Sequence, residues 1–190
     1  MRYVRIAAPS VEVVTLPAAK AHLRVDHSAD DSLITALIGA AVQYFDGRSG
    51  ILGRALGTQT WRLETAAPAG GCLSLELPPV SAVDKVEYLR DGAMVEWPDS
   101  EWRLGYKGEI AFVVPLENRV WPSTDARENA WSVSFTAGAA AADVPEPLRV
   151  ALLMLIGHFY QNREAVSAGG MAELPLAVSA LIAPYRRIAF

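Results

Sequence analysis

The chain has 190 residues, 52% hydrophobic and 20% charged, with a net charge of −4 and a pI of about 5.4. That composition excludes a disordered chain, suits one domain or one domain plus a small subdomain, and leaves no cluster of Lys and Arg able to grip phosphates tightly. One cysteine, Cys72, excludes an internal disulfide and any multi-cysteine metal site.

The segment 1–14 lacks an apolar stretch long enough for a signal peptide. Pro17 marks a helix start, and residues 17–23 form a short helix. Asp30 or Ser28 caps a second, longer helix by offering a side-chain oxygen to its free N–H groups, and Asp31 adds a favourable charge at the helix dipole. Leu33, Ile34, Leu37, Ile38, Ala41, Val42 and Phe45 form its apolar stripe, and Gly47 and Gly50 stop it.

From residue 58 to 136 the period changes to two. Strands are predicted at 58–63, 73–77, 83–89, 102–104, 109–114 and 131–135, with Asp91-Gly92 as a tight turn and Pro78-Pro79, Pro98, Pro115 and Pro122 as punctuation. This predicts one small antiparallel sheet of five or six strands. Pro145 and Pro147 then open a third helix with Leu148, Ala151, Leu152, Leu155, Ile156, Phe159 and Tyr160 on one face. Its apolar run contains Arg149 and His158 and is too short to cross a bilayer. Pro175 starts a fourth helix carrying Val178, Leu181 and Ile182, which Pro184 ends near Ala183. The tail 185–190 extends beyond it.

The fold class is therefore α+β: a helical bundle built from N- and C-terminal helices, with a small antiparallel β subdomain inserted between them. The boundaries fall at 1–57 for the N-terminal helices, 58–143 for the insert, and 144–190 for the C-terminal helices and tail, which form one unit with 1–57. Mean hydropathy is +0.20, high for a soluble monomer. The 31 alanines allow an alanine-rich core as the reason; apolar surface covered by partner chains is the other.

Chemistry-bearing residues concentrate in 22–31. His22 and His27 are five apart, so they do not share a helical face, and a helix end falls between them. Asp26, His27, Asp30 and Asp31 fit a capped corner between helices better than a metal site, which needs convergent ligands. His158 belongs on or beside the apolar face of the third helix. Asn162, Arg163 and Glu164 at its end fit either a solvated terminus or a recognition patch between subunits. No G-x-S-x-G elbow and no phosphate-cradling glycine loop occurs. Trp97, Trp102, Trp121 and Trp131 fit a small sheet's core, with ligand stacking as the lesser alternative. No catalytic, cofactor-binding or metal-binding residue is assigned. A metal-dependent enzyme using 22–31, or a ligand-binding module using the tryptophans, is the alternative to a structural protein.

Four stretches in order, LPAAKAHLRVDHSADDSLITALIGAA (16–41), GRALGTQTWRLE (53–64), LELPPVSAVDKVEYLRDG (75–92) and VPEPLRVALLMLIGHFYQNREAV (144–166) followed by LPLAVSALIAPYRR (174–187), resemble the head–tail connector (adaptor, or head-completion) family of long-tailed phages and gene transfer agents. The loops 99–107 and 116–129 vary in that family, and nothing carries over there. The resemblance implies a structural part of a virion or virus-like particle neck, assembled in the host bacterial cytoplasm. It implies a dodecameric ring of copies below the portal protein, extending the DNA channel and docking a stopper or tail-terminator protein. It implies no catalysis, no cofactor, no membrane, and DNA passing without specific recognition. It places the extended C-terminus, Tyr185 to Phe190, against the portal, with Arg186 and Arg187 facing acidic groups and Ile188 and Phe190 available for apolar pockets. A disordered tail is the alternative.

Overall fold

The computed structural model describes residues 1–9, 12–162 and 175–187. The chain divides into two units, each assembled from two stretches: Met1–Val11 with Gly57–Ala140, and Glu12–Leu56 with Ala141–Phe190. The first carries the strands and the second the helices, so the fold is α+β.

In the helical unit, α1 (Leu16–Leu23) starts at Thr15, whose hydroxyl accepts the Ala18 N–H at 3.3 Å, with Pro17 in the first turn. There proline's missing N–H leaves no bond unmade. The helix closes at Arg24, which takes a left-handed conformation (φ 57°) while the N–H groups of Arg24 and Val25 reach back to the Ala21 and Lys20 carbonyls. α2 (Asp31–Phe45) buries Ile34, Ala41 and Phe45 and half-buries Leu33, Leu37, Ile38 and Val42, so the whole predicted stripe faces inward. α3 (Glu146–Gln161) follows Pro145, holds Pro147 in its first turn, and packs against α1, α2 and α4 (Leu176–Ile182). A helix touched on three sides needs a wide apolar face, and α3 buries Leu148, Ala151, Leu152, Leu155, Ile156 and Gly157. α4 gives way to a 3-10 turn at Ala183–Tyr185 that contains Pro184. Each buried Leu, Ile or Phe of this core contributes about 1.5–3 kcal/mol by leaving water.

In the other unit the strands form two sheets rather than one. The larger has the order β1-β2-β8-β4-β5, with β1 Arg2–Ala7, β2 Gln59–Thr65, β4 Val80–Arg90, β5 Ala93–Glu96 and β8 Trp131–Ala137; every pairing is antiparallel. The smaller has the order β3-β7-β6, with β3 Leu73–Leu75, β6 Trp102–Lys107 and β7 Ile110–Pro115. The expected single sheet is thus corrected, because among the described residues β3, β6 and β7 pair only among themselves. The two sheets are tied by tyrosine hydroxyls: Tyr3 donates to the Ser74 carbonyl and accepts from the Glu76 N–H, and Tyr106 donates to the Val80 carbonyl.

Alternation follows the pleat. Along β2, residues 59, 61, 63 and 65 are buried while 60, 62 and 64 are half-exposed. Leu63, Val133 and Val86 lie side by side across three strands on the buried face, and Trp61 pairs with Phe135 beside them. The expected all-helical segment 1–57 differs at its start, since residues 2–7 are a strand on β2 and belong with the sheets, while the change of unit falls between Leu56 and Gly57. Gly138 (φ 95°) makes the turn out of β8. A Cβ there would sit 2.0 Å from the Gly57 carbonyl oxygen, so only glycine lets the two backbones approach.

Candidate functional site

The corner between α1 and α2 is built by ionic and hydrogen-bonded locks. Lys20 on α1 reaches Asp31 in the first turn of α2 at 2.5 Å. Asp30 occupies the N-cap position of α2, but its carboxylate makes no capping bond there; it accepts the hydroxyl proton of Tyr160 near the end of α3. The expected side-chain cap is therefore corrected: the Asp31 N–H is met by the Ser28 main-chain carbonyl and the Ile34 N–H by that of Asp30, which leaves the Asp30 carboxylate to join α2 to α3. Asp26 and His27 are exposed on the turn between the helices. His22 points elsewhere, and a Cβ on Gly157 of α3 would lie 3.6 Å from its Nε2. Among the described residues no three His, Cys, Asp or Glu side chains converge as metal ligands would. The chemistry of this corner is fastening.

Arg149, on the first turn of α3, holds the chain where it enters the helical unit. Its guanidinium donates to the main-chain carbonyls of Val13, Ala141 and Val144 and pairs with Glu146 at 3.2 Å. Nothing in the sequence marks it, because its partners lie as far as 136 positions away.

After α2 the chain turns through a short irregular segment that also receives the C-terminal residues. Buried Asp46 closes α2 and accepts the Leu56 N–H at 2.8 Å. Gly50 lies so close beneath the end of α2 that a Cβ would be 2.4 Å from the Asp46 carbonyl oxygen. The Leu52 carbonyl accepts the Arg187 N–H at 2.9 Å, and Arg54 donates to the Tyr185 carbonyl at 3.4 Å. Tyr185 and Arg187 are half-buried and Arg186 is exposed. Of the tail expected to extend beyond α4, Tyr185 and Arg187 are bonded through their main chain to the segment after α2. Ile188 and Phe190 lie outside the described residues.

At the end of α3, Asn162 is exposed, and its amide donates to the His158 carbonyl at 2.8 Å, completing the last turn. His158 is half-buried, with its Nδ1 3.3 Å from the same amide and its ring near Phe159. Arg163 and Glu164 lie outside the described residues.

The tryptophans form a core. Trp97, Trp121 and Trp131 meet with ring centroids 4.9–5.6 Å apart, and Trp102 donates its indole N–H to the Trp97 carbonyl. Trp97 and Trp131 are only 3% and 1% exposed, which leaves no open ring face on either for a ligand.

The outer face of the larger sheet is polar. Arg2, Glu64, Ser132, Glu87 and Glu96 lie in one row across all five strands. Arg2 and Arg62 pair with Glu64, and Lys85 pairs with Glu87 at 2.6 Å and with Glu96 at 3.5 Å. The hydrogen bond that Lys85 donates to the Glu87 carboxylate, reinforced by the charges of both acids, holds the Lys85 ammonium above its usual range.

Residues 13–69, covering α1, the corner, α2 and all of β2, match the family described as phage gp6-like head-tail connector proteins. No curated protein matches the chain. Among solved structures, a chain from the neck of an empty gene transfer agent particle, computed with C6 symmetry, is 23% identical with a TM-score of 0.80. A chain from the virion of a native gene transfer agent particle is 24% identical with a TM-score of 0.79. A third, from the neck of a native particle computed with C12 symmetry, is 22% identical with a TM-score of 0.69. Each match covers 100% of this chain and 97% of the other. The likeness establishes a shared fold for both units.

Proposed function

We propose that the chain is a head–tail connector, a structural and non-enzymatic subunit of the neck of a tailed phage or phage-like particle. It forms a ring below the portal, continues the DNA channel and presents a platform to a stopper or tail protein. The observation that carries this reading is the coincidence of two independent likenesses. Residues 13–69 match a connector family, and the whole chain matches chains of gene transfer agent particle necks over its full length.

The residues support it mechanically. The charged groups of the corner hold helices together, and the tryptophans fill a core, so neither needs a substrate to explain it. A net charge of −4 suits DNA that passes without being gripped. The C-terminal residues Tyr185, Arg186, Arg187, Ile188 and Phe190 face the portal in this reading, launched from the anchor at Leu52 and Arg54. Asn162, Arg163 and Glu164 belong to the contact between neighbouring copies. The ring has twelve copies in the particle, while the isolated chain is a monomer or small oligomer that assembles on the portal.

Deleting the gene in a particle-producing cell tests the reading. Heads that have lost their tails and leak DNA are expected in electron micrographs. Tailed, DNA-filled particles lacking this polypeptide would overturn it.

A further inference from the structure

We propose that neighbouring copies join through the two open edges of the larger sheet, β5 of one copy lying alongside β1 of the next. The inference rests on the connector reading for the existence of a ring and goes beyond it in naming the contact.

Among the described residues no strand pairs with the outer side of β1 or of β5. Open edges template further pairing unless they are blunted by Lys, Pro, inward charges, bulges or shortness; β1 is irregular at Ile6, which confines its continuous edge to Arg2–Arg5, matching the four residues of β5. β5, Ala93-Met94-Val95-Glu96, contains neither Lys nor Pro and is exposed throughout. Of the nine large apolar side chains exposed among the described residues, four flank these two edges: Met1, Ile6, Met94 and Val95, at 58%, 53%, 42% and 38%. Apolar exposure concentrated on unpaired edges points to a partner strand rather than to water.

Charge and direction select which edges meet. β1 carries Arg2 and Arg5 and no acid; β5 carries Glu96 and no base, with Asp91 at its turn. Pairing β1 with β1, or β5 with β5, would set like charges together, whereas β1 with β5 sets opposite ones. Arg2 and Glu96 also end the same row on the same face, with side chains 75% and 64% exposed. Four successive antiparallel pairings leave β1 and β5 running in the same direction. A copy related by rotation about a ring axis therefore lays its β5 parallel to β1, a head-to-tail contact of the kind that closes rings. A stagger of two residues keeps the faces matched: the second copy's Met94 lies beside Arg2 and its Glu96 beside Val4, leaving Arg2 diagonal to that Glu96 and within reach.

The test uses the full chain carrying Cys72→Ser. Arg2→Cys, Val4→Cys and Ile6→Cys are each mixed with Glu96→Cys and oxidised at rising concentration, with and without the portal on which the ring assembles. Mixed disulfide dimers are expected, strongest for Val4→Cys, and the double variant Val4→Cys/Glu96→Cys is expected to link into a ladder of multimers. Arg2→Glu should weaken linking about two- to fivefold, with recovery in Arg2→Glu/Glu96→Arg. Links only between identical variants, or none at any concentration, would overturn the edge contact. A chain that seals particles yet does not link this way would sink this contact alone. One that links edge to edge but is dispensable for tail attachment would sink the connector reading.

Discussion

Asp30 and Asp31 are adjacent, yet each directs its carboxylate to a different helix, Asp31 to Lys20 of α1 and Asp30 to Tyr160 of α3. Asp26 and His27, four and three residues before Asp30, are exposed on the turn. The four therefore differ sharply as targets. Tyr160→Phe removes a hydrogen bond to a charged group and should cost about 1.5–3 kcal/mol, seen as a melting temperature lowered by several degrees. The double change Asp26→Ala/His27→Ala should stay within about 0.5 kcal/mol, as exposed substitutions do. Equal losses for both would mean the corner works through its exposed members. Arg149→Lys keeps the charge but loses the fork that serves three carbonyls at once. It should cost about 1–3 kcal/mol in chemical unfolding, and an unchanged midpoint would deny it the clamp role.

Two glycines separate what an element needs from what it presents. Gly138 leaves β8 at φ 95°, with the Gly57 backbone where a Cβ would go. Gly138→Ala should destabilise the chain by more than about 2 kcal/mol, combining a strained φ with a clash against backbone. Gly39 sits mid-helix on α2 with open space where a Cβ would go, beside exposed Ala40. Gly39→Ala should stabilise the isolated subunit by roughly 0.5–1 kcal/mol through helix propensity. If that small-residue face meets a neighbour in the ring, the same stabilised variant should assemble poorly on the portal. Normal assembly would mean the face stays in solvent.

Elements also differ in how visible they are beforehand. Among the described residues the four helices carry a period of 3.6, and α1, α3 and α4 carry proline at their starts where α2 opens on Asp30-Asp31; these are local signals, and all four stand where expected. β4 blurs its alternation through irregularities between Val80 and Ala82 and between Val83 and Lys85. β1 is hidden because an edge strand has little burial to alternate and its partner β2 lies more than fifty residues on. β5 is exposed at every position, and only its place after the Asp91-Gly92 turn betrays it. Of the candidate site, the aspartates at the corner were legible; Tyr160 was not, because 130 positions separate it from Asp30 and no spacing rule joins them.

For the whole molecule, the C-terminus has two parts with separate consequences. Arg187 bonds Leu52 through its main-chain N–H, and the Tyr185 carbonyl accepts from Arg54, so residues up to 187 belong to the folded subunit. Ile188, Ala189 and Phe190 come after them in the sequence. If portal docking depends on that apolar end, a chain ending at Arg187 should unfold at the same temperature as the full chain and bind the portal at least tenfold more weakly, since burying one Phe or Ile side chain is worth about 1.5–3 kcal/mol. A chain ending at Tyr185 should in addition melt lower, because it forfeits the bond to Leu52. Calorimetry and portal co-sedimentation read the two effects separately. A chain ending at Arg187 that binds the portal as tightly as the full chain would move the docking surface off the C-terminus and onto the folded units.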